Sequence, residues 1–274
     1  ARVAVAAKGC GGGEERSHAV NRRREVSMGL VGVGGGLFAA AAGAASAGED
    51  PSEVTARAFL DVALCPLNQN QARTLSENTV LCKEPVTVGR LVIGLYGNAA
   101  PDSTRNFLEL ARRQVGGYKG TVFQEVHRGD YVLAGRQGNI NRGGVDPGWT
   151  SRNTDITNTK SFVLRHDKPG LVSMGISSGL ASGGIGSAFT ITTGPSSTDL
   201  DDTSIVIGEI LDGWDTLERI NSIPTFRPTG AFMQLTKTTN EIGGMLGDQR
   251  AERARSSWVK PKLTILITDA GILT

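Results

Sequence analysis

The residues able to do chemistry gather in one stretch, residues 118–138, which reads YKGTVFQEVHRGDYVLAGRQG. It holds a carboxylate, Glu125, which only accepts hydrogen bonds when ionised, and two guanidinium donors, Arg128 and Arg136. Other chemistries are poorly supported along the chain. His127 and His166 have no Cys, Asp or second His at ligand spacing, so no metal is expected. Ser173 and Ser187 lack a G-x-S-x-G context, which argues against a hydrolase. Asp199, Asp201 and Asp202 read as a solvated turn, with a cation site as the alternative. No C-x-x-C is present, so neither a redox enzyme nor a zinc site is indicated.

Two strand-like runs, 121–126 and 131–134, must position these groups across a polar turn at 127–130. Alternation in the first run puts Val122, Gln124 and Val126 on one face and Thr121, Phe123 and Glu125 on the other. Further strands are expected at 56–64, 89–96, 189–193, 205–209 and 263–271. A helix should start at Pro101, with Phe107 and Leu110 on its buried face, and a second should run over 213–220. Residues 65–85 and 137–158 read as polar loops. In the segment 222–260, the positions Ile242, Met245, Leu246, Ala254 and Trp258 recur at helical spacing over 241–258.

Several of these stretches, in order, resemble the cyclophilins. The 118–138 stretch is similar to the family's Y-K-G-x-x-F-H-R-(I/V)-x-x-G-F-x-x-Q-G-G. GRLVIGLY at 89–96 is similar to G-x-(V/L)-x-(F/I)-x-L-(F/Y), and Pro101 to Phe107 to P-x-(T/A)-x-x-N-F. Lys168 to Met174 resembles H-x-x-x-G-x-(L/V)-S-M, IVIGE at 205–209 resembles V-V-F-G-x-V, and GWDTLERI at 213–220 resembles G-x-(D/N)-x-(V/L)-x-x-I. The resemblance implies a mainly β fold: a closed eight-stranded antiparallel cyclophilin-like barrel capped by two helices, with insertions at 65–85 and 222–260. The second insertion would add a C-terminal helical segment before the last strand.

The same resemblance implies peptidyl-prolyl cis-trans isomerisation, protein folding or assembly as the role, and proline-containing protein segments as partners. No cofactor is implied. Twisting an X–Pro bond must overcome a barrier of ~18–20 kcal/mol. A catalyst offers an apolar seat for the ring and a donor for the imide nitrogen, whose lone pair appears only in the twisted state. In the family an arginine of F-H-R is that donor, but here the stretch is Phe123-Gln124-Glu125. The family's glutamine falls on Ala134, its phenylalanine of S-Q-F-F on Thr190, its tryptophan before L-D-G on Asp199 and its histidine before V-V-F-G on Ser204. Tyr131, Val132 and Leu200 keep an apolar wall. The expected groove is therefore Tyr131, Val132, Ala134, Thr190, Leu200 and Ser204, with Glu125 at an inactive donor position and Arg128 or Arg136 as candidate replacement donors.

The chain has 274 residues, 39% hydrophobic, with 37 glycines, enough for one substantial turn-rich core. A formal net charge of +2 provides no field for nucleic acid. Residues 1–47 stand apart as an expected cleaved leader. A small, basic stretch precedes Arg22-Arg23-Arg24, an apolar run and Ala45-Ser46-Ala47, an order that resembles a transit peptide followed by a twin-arginine export signal. Such bipartite leaders resemble those of thylakoid-lumen proteins, so the expected compartment is the chloroplast thylakoid lumen. The chain starts without Met, so more of the leader is expected ahead of Ala1, and the cyclophilin-like domain would be 48–274. An uncleaved anchor is the alternative for the apolar run, although its Gly and Ala content makes it weakly hydrophobic; after cleavage no stable membrane span is expected. Cys65 and Cys82 can pair in an export compartment, and two unpaired buried thiols are the alternative. A second functional reading is a non-catalytic interaction module for assembly or upkeep of a photosynthetic complex.

Overall fold

A computed structural model of the chain describes residues 50–65, 82, 84–177, 184–195, 197–228, 230–245, 247 and 257–274. The expected leader, most of the 65–85 loop, and Leu246 and Ala254 lie outside the described residues. The strands are β1 (Ala56–Leu64), β2 (Val86–Leu95), β3 (Phe123–His127), β4 (Tyr131–Ala134), β5 (Leu171–Ser177), β6 (Gly184–Thr192), β7 (Ser204–Asp212) and β8 (Ile265–Leu273). The helices are α1 (Pro101–Arg112), α2 (Trp214–Ser222) and α3 (Ala231–Met245). Among the described residues no helix is long and apolar enough to cross a membrane.

All strands join one antiparallel sheet in the order β3-β4-β6-β5-β7-β2-β1-β8. The expectation of a closed barrel is corrected here, because β3 and β8 are the two edges of an open, curled sheet. The edges approach through the isolated bridge between Val122 and Leu266, with Gly120 N–H donating to the Ile267 carbonyl and Ile267 N–H to Thr121, both at 2.8 Å. Beyond that junction the edge of β3 is served from outside the sheet: Val126 N–H donates to the Val259 carbonyl at 2.8 Å.

The concave face is filled by apolar side chains that alternate along the strands, among them Leu60, Leu91, Ile93, Phe123, Val132, Phe189, Ile191 and Ile267. At its centre Phe107 and Tyr118 pack on Phe189 with ring centroids 5.4 and 4.9 Å away, edge to face, an arrangement that adds about 0.5–1.5 kcal/mol per pair beyond area burial. Phe107 comes from α1, whose Phe107, Leu110 and Ala111 recur at helical spacing and seal this end of the sheet. Pro101 pre-sets the first turn of α1, and the buried Asp155 carboxylate accepts from both N–H and Oγ of Ser103 at 2.7 Å.

Cys65 and Cys82 form a disulfide across 17 residues, which ties the end of β1 to the approach of β2. By the chain-entropy model such a loop closure stabilises by ~3 kcal/mol. Of the helix expected over 241–258, residues 241–245 are helical as the end of α3 (Ala231–Met245), which follows Gly230 in a left-handed conformation, and 246 and 248–256 lie outside the described residues. At the base of this insertion the Thr225–Pro261 bridge and the bonds Phe226 N–H to Lys260 O and Lys262 N–H to Pro224 O close a short ladder.

Candidate functional site

The β3–β4 hairpin carries the site, and its register decides which side chains reach the surface. Phe123 pairs with Ala134, Glu125 with Leu133 and His127 with Tyr131, with a bulge between Phe123 and Glu125. The extra residue, Gln124, breaks the alternation expected from sequence, so that Phe123 and Val126 are both buried. Glu125, His127, Tyr131 and Leu133 then share the outward face. Leu133 pairs with Thr190, and Thr190 with Ser173, which extends that row across β6 and β5.

The expected groove residues divide. Tyr131 is half-buried on the outward face, stacked on His127 with ring centroids 4.1 Å apart. Thr190 lies in the same cross-strand row but is buried, with its Oγ1 2.5 Å from Ser173 Oγ. Leu200 and Ser204 are also buried. Val132 and Ala134 are corrected: each is 0% exposed, on the core side of the sheet. His127 and Leu133 are outward-facing residues that the sequence reading missed. The signal was the period of two from Tyr131, which sends Val132 and Ala134 inward and Leu133 outward.

Glu125 is the hub of the exposed cluster, with its side chain 21% exposed. Its Oε2 lies 3.0 Å from His127 Nε2, and its Oε1 accepts from Arg136 Nη2 at 2.7 Å. Burial pushes the Glu125 carboxyl up, but the His127 bond and the Arg136 charge and bond outweigh it, so it titrates below its ordinary range. The Tyr131 hydroxyl is pushed up to about 12, first by burial and then by the carboxylates of Glu125, Asp130 and Asp199. It is therefore a protonated phenol at neutral pH.

The two candidate donors part company. Arg128 Nη2 donates to the carbonyls of Ser222 at 2.7 Å and Ile223 at 3.3 Å. It satisfies the orphan acceptors at the C-terminal end of α2, where a cation is also favoured by the helix dipole. Arg136 instead reaches Glu125. His166 is buried with Nδ1 2.8 Å from Asp201, and Arg165 pairs with Asp201 and Asp202, so the acidic turn is matched by its own neighbours. Among the described residues no three of His, Cys, Asp and Glu gather closely enough to hold a metal ion.

A family model described as cyclophilin type peptidyl-prolyl cis-trans isomerase/CLD matches residues 83–240. The chain is 37% identical over 234 residues to the chloroplastic peptidyl-prolyl cis-trans isomerase CYP28 of Arabidopsis thaliana, spanning 80% of this chain and 82% of that protein. It is 34% identical over 140 residues to peptidyl-prolyl cis-trans isomerase D of Saccharomyces cerevisiae, covering 50% of this chain and 59% of that protein. With isomerase B of the same yeast it shares 33% identity over 138 residues, 50% of this chain and 64% of that protein.

Proposed function

The chain belongs to the cyclophilin-type peptidyl-prolyl cis-trans isomerase family, and from that premise we propose that it binds proline-containing segments in the chloroplast thylakoid lumen with weakened or lost catalysis. The observation that carries the reading is Glu125, a carboxylate on the outward face at the position that matches the family's arginine. A negative charge there opposes the lone pair that develops on the twisted imide nitrogen, and removal of one preorganised donor costs ~3–4 kcal/mol of transition-state stabilisation. Tyr131 and Leu133 still offer an apolar seat for a proline ring.

The test is a protease-free isomerisation assay on a short X–Pro peptide, run cold, where the uncatalysed rate is slow. The expected result is little acceleration by the native protein and a gain of roughly tenfold or more in Glu125→Arg. Strong native acceleration would overturn the weakened-catalysis reading, and failure of the peptide to bind at all would overturn the groove. The compartment rests on the order of motifs in residues 1–47 and on the chloroplastic relative. Import into isolated chloroplasts should deliver a shortened product to the lumen, and recovery of that product from the stroma contradicts the assignment.

The non-catalytic reading, a module for assembly or upkeep of a photosynthetic complex, is favoured by α3. There Leu235, Ile242 and Met245 are 66%, 53% and 88% exposed, an apolar face of the kind that docks partners.

A further inference from the structure

We propose that Arg136 is the donor that serves the imide nitrogen in this groove, and that Glu125 is the positioning residue that holds it there. This rests on the groove reading above and assigns its residual chemistry to a side chain outside the family's motif.

The local backbone explains how Arg136 arrives. Strict alternation after Tyr131 would send Arg136 to the core side with Ala134. Gly135 breaks the alternation with φ +70°, in the left-handed region. A Cβ at Gly135 would stand 2.7 Å from Tyr118 Cε1 and 2.9 Å from the Ser187 carbonyl, so the close approach also requires glycine. The chain turns there and returns the Arg136 side chain to the outward face. The new direction is then fixed: Val145 N–H donates to the Arg136 carbonyl at 3.0 Å. Next to it, Gln137 Nε2 donates to the carbonyls of Asp146, Pro147 and Trp149 at 3.2, 3.0 and 2.7 Å.

The side chain is held at its tip and open elsewhere. One nitrogen, Nη2, is bound to Glu125, and among the described residues no other acceptor takes a hydrogen bond from the guanidinium. The side chain is 54% exposed, which leaves its remaining N–H groups accessible to a bound peptide. Glu125 is itself braced by His127, and His127 by the Tyr131 ring. This chain of contacts removes part of the entropy that a free arginine would lose on binding. The step it serves makes and breaks no covalent bond: the imide nitrogen becomes pyramidal, and its lone pair accepts a hydrogen bond from the guanidinium as the amide twists. The adjoining carboxylate lowers the local positive potential, which makes Arg136 a weaker donor than an unpaired arginine and fits weakened turnover.

The experiment measures isomerisation of an X–Pro peptide and, separately, its binding by the full chain and four variants. Arg136→Ala and Arg136→Gln should bring the rate down to the uncatalysed one while peptide affinity stays within about threefold, the pattern of an interaction made only in the transition state. Glu125→Gln keeps an acceptor for Arg136 but removes the charge that weakens it as a donor, so kcat should rise with KM unchanged. Glu125→Ala frees the arginine and should lower kcat. Acceleration that survives both Arg136 variants overturns the proposal, as does a native protein that binds the peptide without accelerating it; in the latter case the groove reading stands. Loss of peptide binding by the native protein ends both. Circular dichroism of each variant separates lost chemistry from lost fold, and two different substitutions at Arg136 guard against one that fails to fold.

Discussion

A carboxylate on a half-covered sheet face loses water, and it stays ionised there only if neighbours repay that loss. For Glu125 the neighbours are His127 at 3.0 Å and Arg136 at 2.7 Å, and they hold its carboxyl below the ordinary value of about 4.3. A lowered carboxyl stabilises the fold at every pH above its unfolded value, and the contribution is lost as pH falls through the lower folded value. Thermal midpoints of the native chain and Glu125→Gln should therefore differ near pH 7 and converge below about pH 4. A difference that stays constant across this range would show that the pair contributes no charge-dependent stability. How much of this site the sequence disclosed follows from its residues. Glu125 and Tyr131 were visible because motif spacing marked them. Val132 and Ala134 were placed in the groove by motif alignment, although the period of two from Tyr131 turns both to the core side. The choice between Arg128 and Arg136 was invisible for a different reason: the partner of Arg128 is the end of α2, 94 residues away.

Elements were more legible than contacts, and the difference tracks how local their causes are. β1 occupies residues 56–64 as its alternation requires, and α1 begins at Pro101, where the proline fits the first turn. Both signals lie within the element itself. The cap of α1 does not: Ala100 occupies the N-cap position, and the carboxylate that serves Ser103 comes from Asp155, 52 residues on. A rule that seeks Ser, Thr, Asp or Asn just before a helix cannot find a cap supplied from a distant part of the chain. The insertion helix was legible only in part. The apolar face expected over 241–258 meets the described part of α3 only at 241–245, and α3 begins earlier, at Ala231, with Leu235 and Ile242 exposed. In α3 the Thr238 and Thr239 hydroxyls donate to the carbonyls of Gln234 and Leu235 four residues back, at 3.0 and 2.7 Å. Polar groups that turn onto the helix backbone mute the polar half of an amphipathic pattern.

At the scale of the whole molecule the open side of the sheet is the liability, because an edge strand offers unpaired backbone groups to any passing chain. The insertion manages that liability from its base. Val259 accepts from Val126 on the β3 edge, and the bonds joining 224–226 to 260–262 hold the two ends of the insertion together beside it. Lys262 adds its ammonium over the Phe226 ring, 6.0 Å from the centroid. The body of the insertion, α3, carries Leu235, Ile242 and Met245 outward and is not needed for this closure. The base should therefore be structural and α3 functional, and the two can be separated. Replacing residues 229–256 with a short Gly/Ser turn keeps every one of these base contacts. Shortening the loop also lowers the entropy of closing it, by about 0.6 kcal/mol for each halving of length. Chemical denaturation of the shortened chain should give stability equal to the native chain or up to about 2 kcal/mol higher, with isomerisation unchanged. A loss of more than about 2 kcal/mol, the value of one buried side chain, would place α3 in the structural core instead. If stability and isomerisation both survive while association with a thylakoid complex disappears, α3 is the docking element and the groove is not.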